Sequence, residues 1–220
     1  MPNDTPLPPE IFKVPVEPGA PLIVVDVDEV LAMFVRGFER FVARRGLEMR
    51  LTRFTLLGSI FQAEDTEPVA IAKGRELFDA FFEAEVEDIE PTPGAAEALA
   101  GFAAQASIVI LTNAPGHSRE ARARWLLKHG FPYPLIVNTG LKGPAVAALA
   151  ARTGGPAAFI DDLLANLDSV ATEAPAVHCF QMVADERLRP LAPCAPERHK
   201  RHDDWPALRT AIAAALRISG

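Results

Sequence analysis

Four short, unbroken apolar runs punctuate the chain: Leu22-Ile23-Val24-Val25, Ser107-Ile108-Val109-Ile110-Leu111, Leu135-Ile136-Val137 and Ala157-Ala158-Phe159-Ile160. A weaker fifth runs from Val177 to Val183. Short continuous runs rich in β-branched residues suit strands buried on both faces. The stretches between them carry helix signals. Pro93-Gly94 opens an Ala- and Leu-rich segment from Ala95 to Gln105, a composition of high helix propensity. Ser118 is placed to cap a helix through Leu127, with Glu120 in its first turn. Pro144 suits the first turn of a helix to about Arg152. Leu208, Ile212 and Leu216 share one face of a final helix, Trp205 to Arg217. Strands alternating with helices predict an α/β fold, a parallel sheet covered on both sides and joined by right-handed crossovers.

Two stretches fall outside this alternation. Residues 1–20 hold Pro2, Pro6, Pro8, Pro9, Pro15 and Pro18, a density that predicts an extended arm or flexible tail. Residues 33–90 show no convincing strand and are too long for a simple crossover, so they are expected to form an inserted helical subdomain. The core domain is then 21–32 together with 91–220. The insert carries Phe34, Phe38, Phe41, Phe54, Phe61, Phe78, Phe81 and Phe82. Their helical spacing suits a small core of their own, from which one or two rings can line a pocket.

Apolar residues make up 49% and charged residues 23% of the 220 residues, a globular composition. The net charge of −7 argues against a nucleic-acid polymer or an anionic membrane as partner, since both need a positive field. A small anion remains compatible, because a local cation can override the total. Cys179 and Cys194 match neither a disulfide framework nor a zinc site and are expected to be free thiols. The first residues lack a basic region and an apolar stretch, and no apolar run reaches the roughly 20 residues of a membrane span. A soluble, cytoplasmic protein is the expectation.

In a parallel α/β sheet, ligands bind beyond the carboxyl ends of the strands. The first run is followed by Asp26-Val27-Asp28-Glu29, the second by Thr112 and Asn113, the third by Lys142 after a short turn, and the fourth by Asp161-Asp162. Carboxylates gathered at one edge repel each other unless a cation intervenes. An all-oxygen donor set without histidine or thiol suits Mg²⁺. A metal, a lysine and a hydroxyl around an open position are the parts of a phosphoryl-transfer centre. In it Asp26 can act as nucleophile. Asp28 can act as acid and base, provided the chain leaves the strand and returns its side chain to the same site.

The ordered set DVDEV, ILTN, a lysine at a helix start and FIDD resembles the haloacid dehalogenase superfamily of aspartate-nucleophile phosphatases. The likeness spans about Pro21 to Val183. It implies a Rossmann-like three-layer core with a small helical cap after the first strand. It also implies Asp26 as nucleophile and Asp28 as acid/base, with Thr112, Asn113 and Lys142 around the phosphate. Mg²⁺ would be held by Asp26, the Asp28 backbone carbonyl and Asp162, with Asp161 behind them or as an alternative ligand. An aspartate at position 28 favours phosphate chemistry, because members that cleave carbon–halogen bonds lack it. Glu29 stands where glycine is common and Val30 where threonine is common. The short cap and the tryptophan helix after TNAP are similar to the deoxyribonucleotidase-like branch. The implied partner is a small phosphorylated metabolite. A non-catalytic module of the same fold and a phosphotransferase or mutase are the competing classes.

Overall fold

The apolar runs become strands where the pattern places them. The computed structural model describes residues 7–219; the beginning of the proline-rich arm, residues 1–6, lies outside the described residues. In chain order the elements are β1 (Leu22–Val25), α1 (Phe34–Ala43), β2 (Leu47–Met49), β3 (Ile60–Gln62), α2 (Ile71–Ala84), α3 (Ala95–Phe102), β4 (Ser107–Thr112) and α4 (Arg119–Lys128). There follow β5 (Leu135–Val137), α5 (Gly143–Thr153), β6 (Ala157–Asp161), α6 (Leu164–Glu173), β7 (His178–Gln181), β8 (Lys200–Arg201) and α7 (Trp205–Leu216).

Six strands form one sheet in the order β5-β4-β1-β6-β7-β8, with every pairing parallel. β1 is central and its four residues are fully buried. Alternation along it feeds two apolar cores. Ile23 and Val25 face a layer containing Leu99 and Phe102 of α3, Trp125 of α4 and Leu208 and Ile212 of α7. Leu22 and Val24 face Val146 and Leu149 of α5 and Leu167 and Val170 of α6. This is the three-layer Rossmann-like arrangement.

Residues 7–20 are not a free arm. Pro9–Phe12 makes a single 3₁₀ turn, and Ile11 and Val14 are buried on the α5 side of the sheet. Arg152 secures the segment by donating to the carbonyls of Ile11 and Val14. Ser118 does not cap α4, because its hydroxyl donates to the Pro115 carbonyl at 2.7 Å.

The insert differs from an all-helical expectation. α1 and α2 flank an antiparallel hairpin, β2 with β3, which pairs only with itself. Three-residue strands are too short to display an alternation in sequence. Seven of the eight phenylalanines belong to or pack against one apolar cluster, but it is continuous with the sheet core at Ile23 and Leu99 rather than a core of their own, and Phe61 lies outside it. Phe34 meets Phe81 at 5.3 Å, and Phe78 meets Phe82 at 4.9 Å. Burying each such side chain contributes roughly 1.5–3 kcal/mol, so aromatic packing holds the insert together. α1 and α2 approach closely at Gly37, where a Cβ would lie 3.2 Å from Ile89 and 3.3 Å from Phe81.

Candidate active site

The carboxyl end of β1 sets the geometry. The Asp26 N–H continues the ladder to the Ile160 carbonyl at 3.0 Å, and there the strand stops. The Val27 carbonyl then accepts from the N–H groups of Val30, Leu31 and Ala32, folding the chain into a tight turn. That turn returns Asp28 to the side of Asp26, which an extended strand would not do. Glu29 occupies the left-handed region with φ 58°, the conformation that explains why glycine suits this position. The strain is offset by two buried hydrogen bonds, since the Glu29 carboxylate accepts from Val35 N–H (2.8 Å) and Asp185 N–H (2.9 Å). Glu29 thereby ties the first turn of α1 and the segment after β7 to the turn that follows β1. Burial pushes its carboxyl up to about 7, against the lowering effect of those two N–H groups.

The other strand ends converge on the same place. Lys142, just before α5, is buried, with Nζ 2.6 Å from Asp26 Oδ1 and 2.7 Å from Asp161 Oδ2. The contact with Asp26 is one of charge rather than an aligned hydrogen bond. Burial alone would lower the lysine, but Asp161 and Asp26 override it and hold the ammonium above its ordinary value. α5 can come this close because residue 143 is glycine. A Cβ there would lie 2.3 Å from Ser169 Oγ.

The two aspartates at the end of β6 have separate duties. Asp161 accepts from Leu163 N–H (2.8 Å), from Asn166 Nδ2 (3.0 Å) and from Lys142. Its oxygens are occupied within the protein. Asp162 lines the cleft, and its backbone carbonyl, not its carboxylate, accepts from Gln181. Burial, then Asp161 and Asp26, push the Asp162 carboxyl well above its ordinary range. Asp26, Asp161 and Asp162 each offer a carboxylate oxygen within 4.8 Å of the others. The Thr112 hydroxyl is fully buried at the end of β4 and has no hydrogen-bond partner, an expensive arrangement unless a ligand completes it. Asn113 also lines the cleft. Its amide is engaged, donating to Gly140 O (2.8 Å) and accepting from Asn138 Nδ2 (2.9 Å), so it shapes the loops around the site.

One buried partner of Asp28 carries no signal in the sequence. Arg122 of α4 is completely buried and donates from Nη2 to Asp28 Oδ1 at 2.7 Å. Its guanidinium lies between the rings of Phe82 from the cap and Trp125 from the core. Burial raises Asp28 to about 6, with Arg122 opposing and Asp26 adding to the shift. The only trace in the sequence is one arginine among several in REARARW, and nothing there marks it as the buried one. If Arg122 orients Asp28 toward a leaving oxygen, Arg122→Met lowers kcat on alkyl phosphates about 10²-fold, the scale of general acid catalysis. It should cost much less on p-nitrophenyl phosphate, whose leaving group needs no proton. Equal losses on both would assign Arg122 a purely structural role.

No family model and no curated protein matches the chain. Solved structures do match in fold. A haloacid dehalogenase-like family hydrolase from Xanthomonas campestris aligns over 92% of this chain and 97% of its own, at 15% identity and TM-score 0.56. The haloacid dehalogenase-type hydrolase YfnB from Bacillus subtilis, solved with magnesium, aligns over 88% and 98%, at 15% identity and TM-score 0.61. CbbY from Rhodobacter sphaeroides, solved with xylulose-1,5-bisphosphate, aligns over 84% and 95%, at 19% identity and TM-score 0.51. The chain has the haloacid dehalogenase-like fold over nearly its whole length.

Proposed function

We propose that the chain is a Mg²⁺-dependent phosphohydrolase for a small phosphate monoester. The observation that carries this is the orphaned Thr112 hydroxyl in the same cleft as Lys142, with three clustered carboxylates at that sheet edge. Asp26 attacks phosphorus, forming an acyl phosphate as the ester P–O bond breaks. Asp28 gives its proton to the departing alcohol oxygen. A carboxyl near 6 can do this and then, as carboxylate, take a proton from water. That water attacks phosphorus, releasing inorganic phosphate and restoring the Asp26 carboxylate. Thr112 and Lys142 hold the non-bridging oxygens, and Asp161 holds Lys142.

The donor set fits a hard divalent cation. Asp26, Asp162 and the Asp28 carbonyl would hold Mg²⁺, which supplies charge neutralisation between nucleophile and phosphate when bound. Thermal unfolding tests this. A buried carboxyl whose folded pKa exceeds its unfolded one loses stability as pH rises, and a cation that displaces the proton offsets that loss. The Tm gain from Mg²⁺ over EDTA is therefore larger at pH 8 than at pH 5. No gain at either pH contradicts the metal site.

The function itself is tested by phosphate release from a panel of monoesters with Mg²⁺ or EDTA. Transfer of ¹⁸O from water into the released phosphate is expected. Phosphate loss without label, with a new phosphorylated product, would instead indicate a phosphotransferase.

A further inference from the structure

With the phosphoryl group placed over Asp26, the alcohol it leaves must project away from the sheet edge. It enters a half-open cleft of about 550 Å³ lined on its far side by the insert, a size that suits a drug-like ligand. The chemistry of its far wall is one-sided. Phe34 and Val35 of α1, Phe54 and Leu56 of the segment between β2 and β3, Phe78 of α2, and Leu188 form it. The polar side chains that the cap adds are Thr55, Arg75 and Asp79, all exposed.

The wall is also fixed. Phe34 is braced by Phe78, Phe81 and Phe82 with ring centroids 5.3–5.6 Å away. The segment carrying Phe54 and Leu56 lies tight on α2, since a Cβ on Gly74 would meet Leu57 Cδ2 at 3.3 Å and Leu57 O at 3.4 Å. Phe78 is half-buried and packs on Phe82 at 4.9 Å, while also lining the cleft.

We infer that the ester's alcohol is apolar, an aliphatic chain or a single aromatic ring with at most one polar end group, rather than a sugar. The inference rests on the phosphohydrolase function and names its substrate class. A sugar would press several hydroxyls against Phe34, Phe54, Leu56 and Phe78. Each hydroxyl would lose water without a replacement partner, weakening binding about fivefold or more. An alkyl or aryl group gains from the same surfaces. The one polar end group would meet Arg75 and Asp79, which stand one helical turn apart on α2 and offer one donor and one acceptor group.

The test compares ethyl, butyl, hexyl and benzyl phosphate with glucose-6-phosphate and glycerol phosphate. All are esters of primary alcohols, so the chemical step differs little among them. The expected result is kcat/KM rising about two- to fourfold per methylene up to hexyl, with benzyl and hexyl above both polyol esters. Phe78→Ser and, independently, Leu56→Ser should shrink the hexyl-to-ethyl ratio. Turnover of every ester with no chain-length dependence, or a preference for glucose-6-phosphate, would overturn the inference and leave the hydrolase standing. Turnover of none would overturn the hydrolase itself.

Discussion

Asp26→Asn is expected to lower kcat by about 10⁴-fold or more, the scale on which removing an attacking group acts, while the protein stays folded. The side chain is isosteric, and its amide oxygen can still meet Lys142 Nζ, which lies 2.6 Å from Asp26 Oδ1. What disappears is the attacking electron pair of a carboxylate and one of three negative charges crowded within 4.8 Å. Removing one of three like charges relieves repulsion, so stability in EDTA should be unchanged or higher. The Mg²⁺-dependent gain in Tm should shrink in the same variant, because the amide is a poorer ligand for a hard cation. A folded variant that keeps a tenth or more of wild-type turnover would remove Asp26 from the nucleophile's role.

Lys142→Met should have the largest effect on stability. The ammonium is 1% exposed and is shared by Asp26 and Asp161, the latter fully buried. Its loss leaves buried carboxylates facing each other without a cation, a defect worth about 3–5 kcal/mol. For a chain of this size that lowers Tm by on the order of 10 °C. The sign of the pH dependence follows. Burial already raises Asp161 to about 6 against the lowering effect of Lys142, so without the lysine its folded pKa rises further above the unfolded range and the folded state binds the extra proton. Stability is then retained at low pH and lost as pH rises through the raised value. Urea unfolding in EDTA should show a larger deficit at pH 8 than at pH 5. Equal stability of variant and wild type at pH 8 would mean that the lysine is not what holds this cluster together.

The sheet was legible because its strands are buried on both faces. Leu22–Val25 and residues 157–160 are continuous apolar runs that no amphipathic helix would show. The candidate residues Asp26, Asp28, Thr112, Lys142 and Asp162 were legible for a related reason, since the end of each such run marks one known edge of the sheet. What sequence could not display is pairing across distance. Arg122 and Asp28 are 94 positions apart, and neither carries a local mark of the other. The β2–β3 hairpin was hidden by strand length. The burial of Ile11 and Val14 was hidden by prolines that spoke only for an extended backbone, not for what it packs against. Glu29 is the instructive case. Its departure from the common glycine marks a left-handed position that is tolerated because its carboxylate holds two backbone N–H groups.

The proposed mechanism is set apart from direct attack by water through a covalent phosphoryl group on Asp26. In the proposed mechanism Asp28→Asn leaves the attacking carboxylate in place but removes the base that serves the second step, so the acyl phosphate should persist. Acid-quenching this variant with an excess of a turned-over ester that has a good leaving group, followed by peptide mass spectrometry, reads it directly. The expected result is a gain of one phosphoryl mass on the peptide containing Asp26, absent from the Asp26→Asn protein. A phosphoryl group found on another residue, or none during measurable turnover, would contradict it.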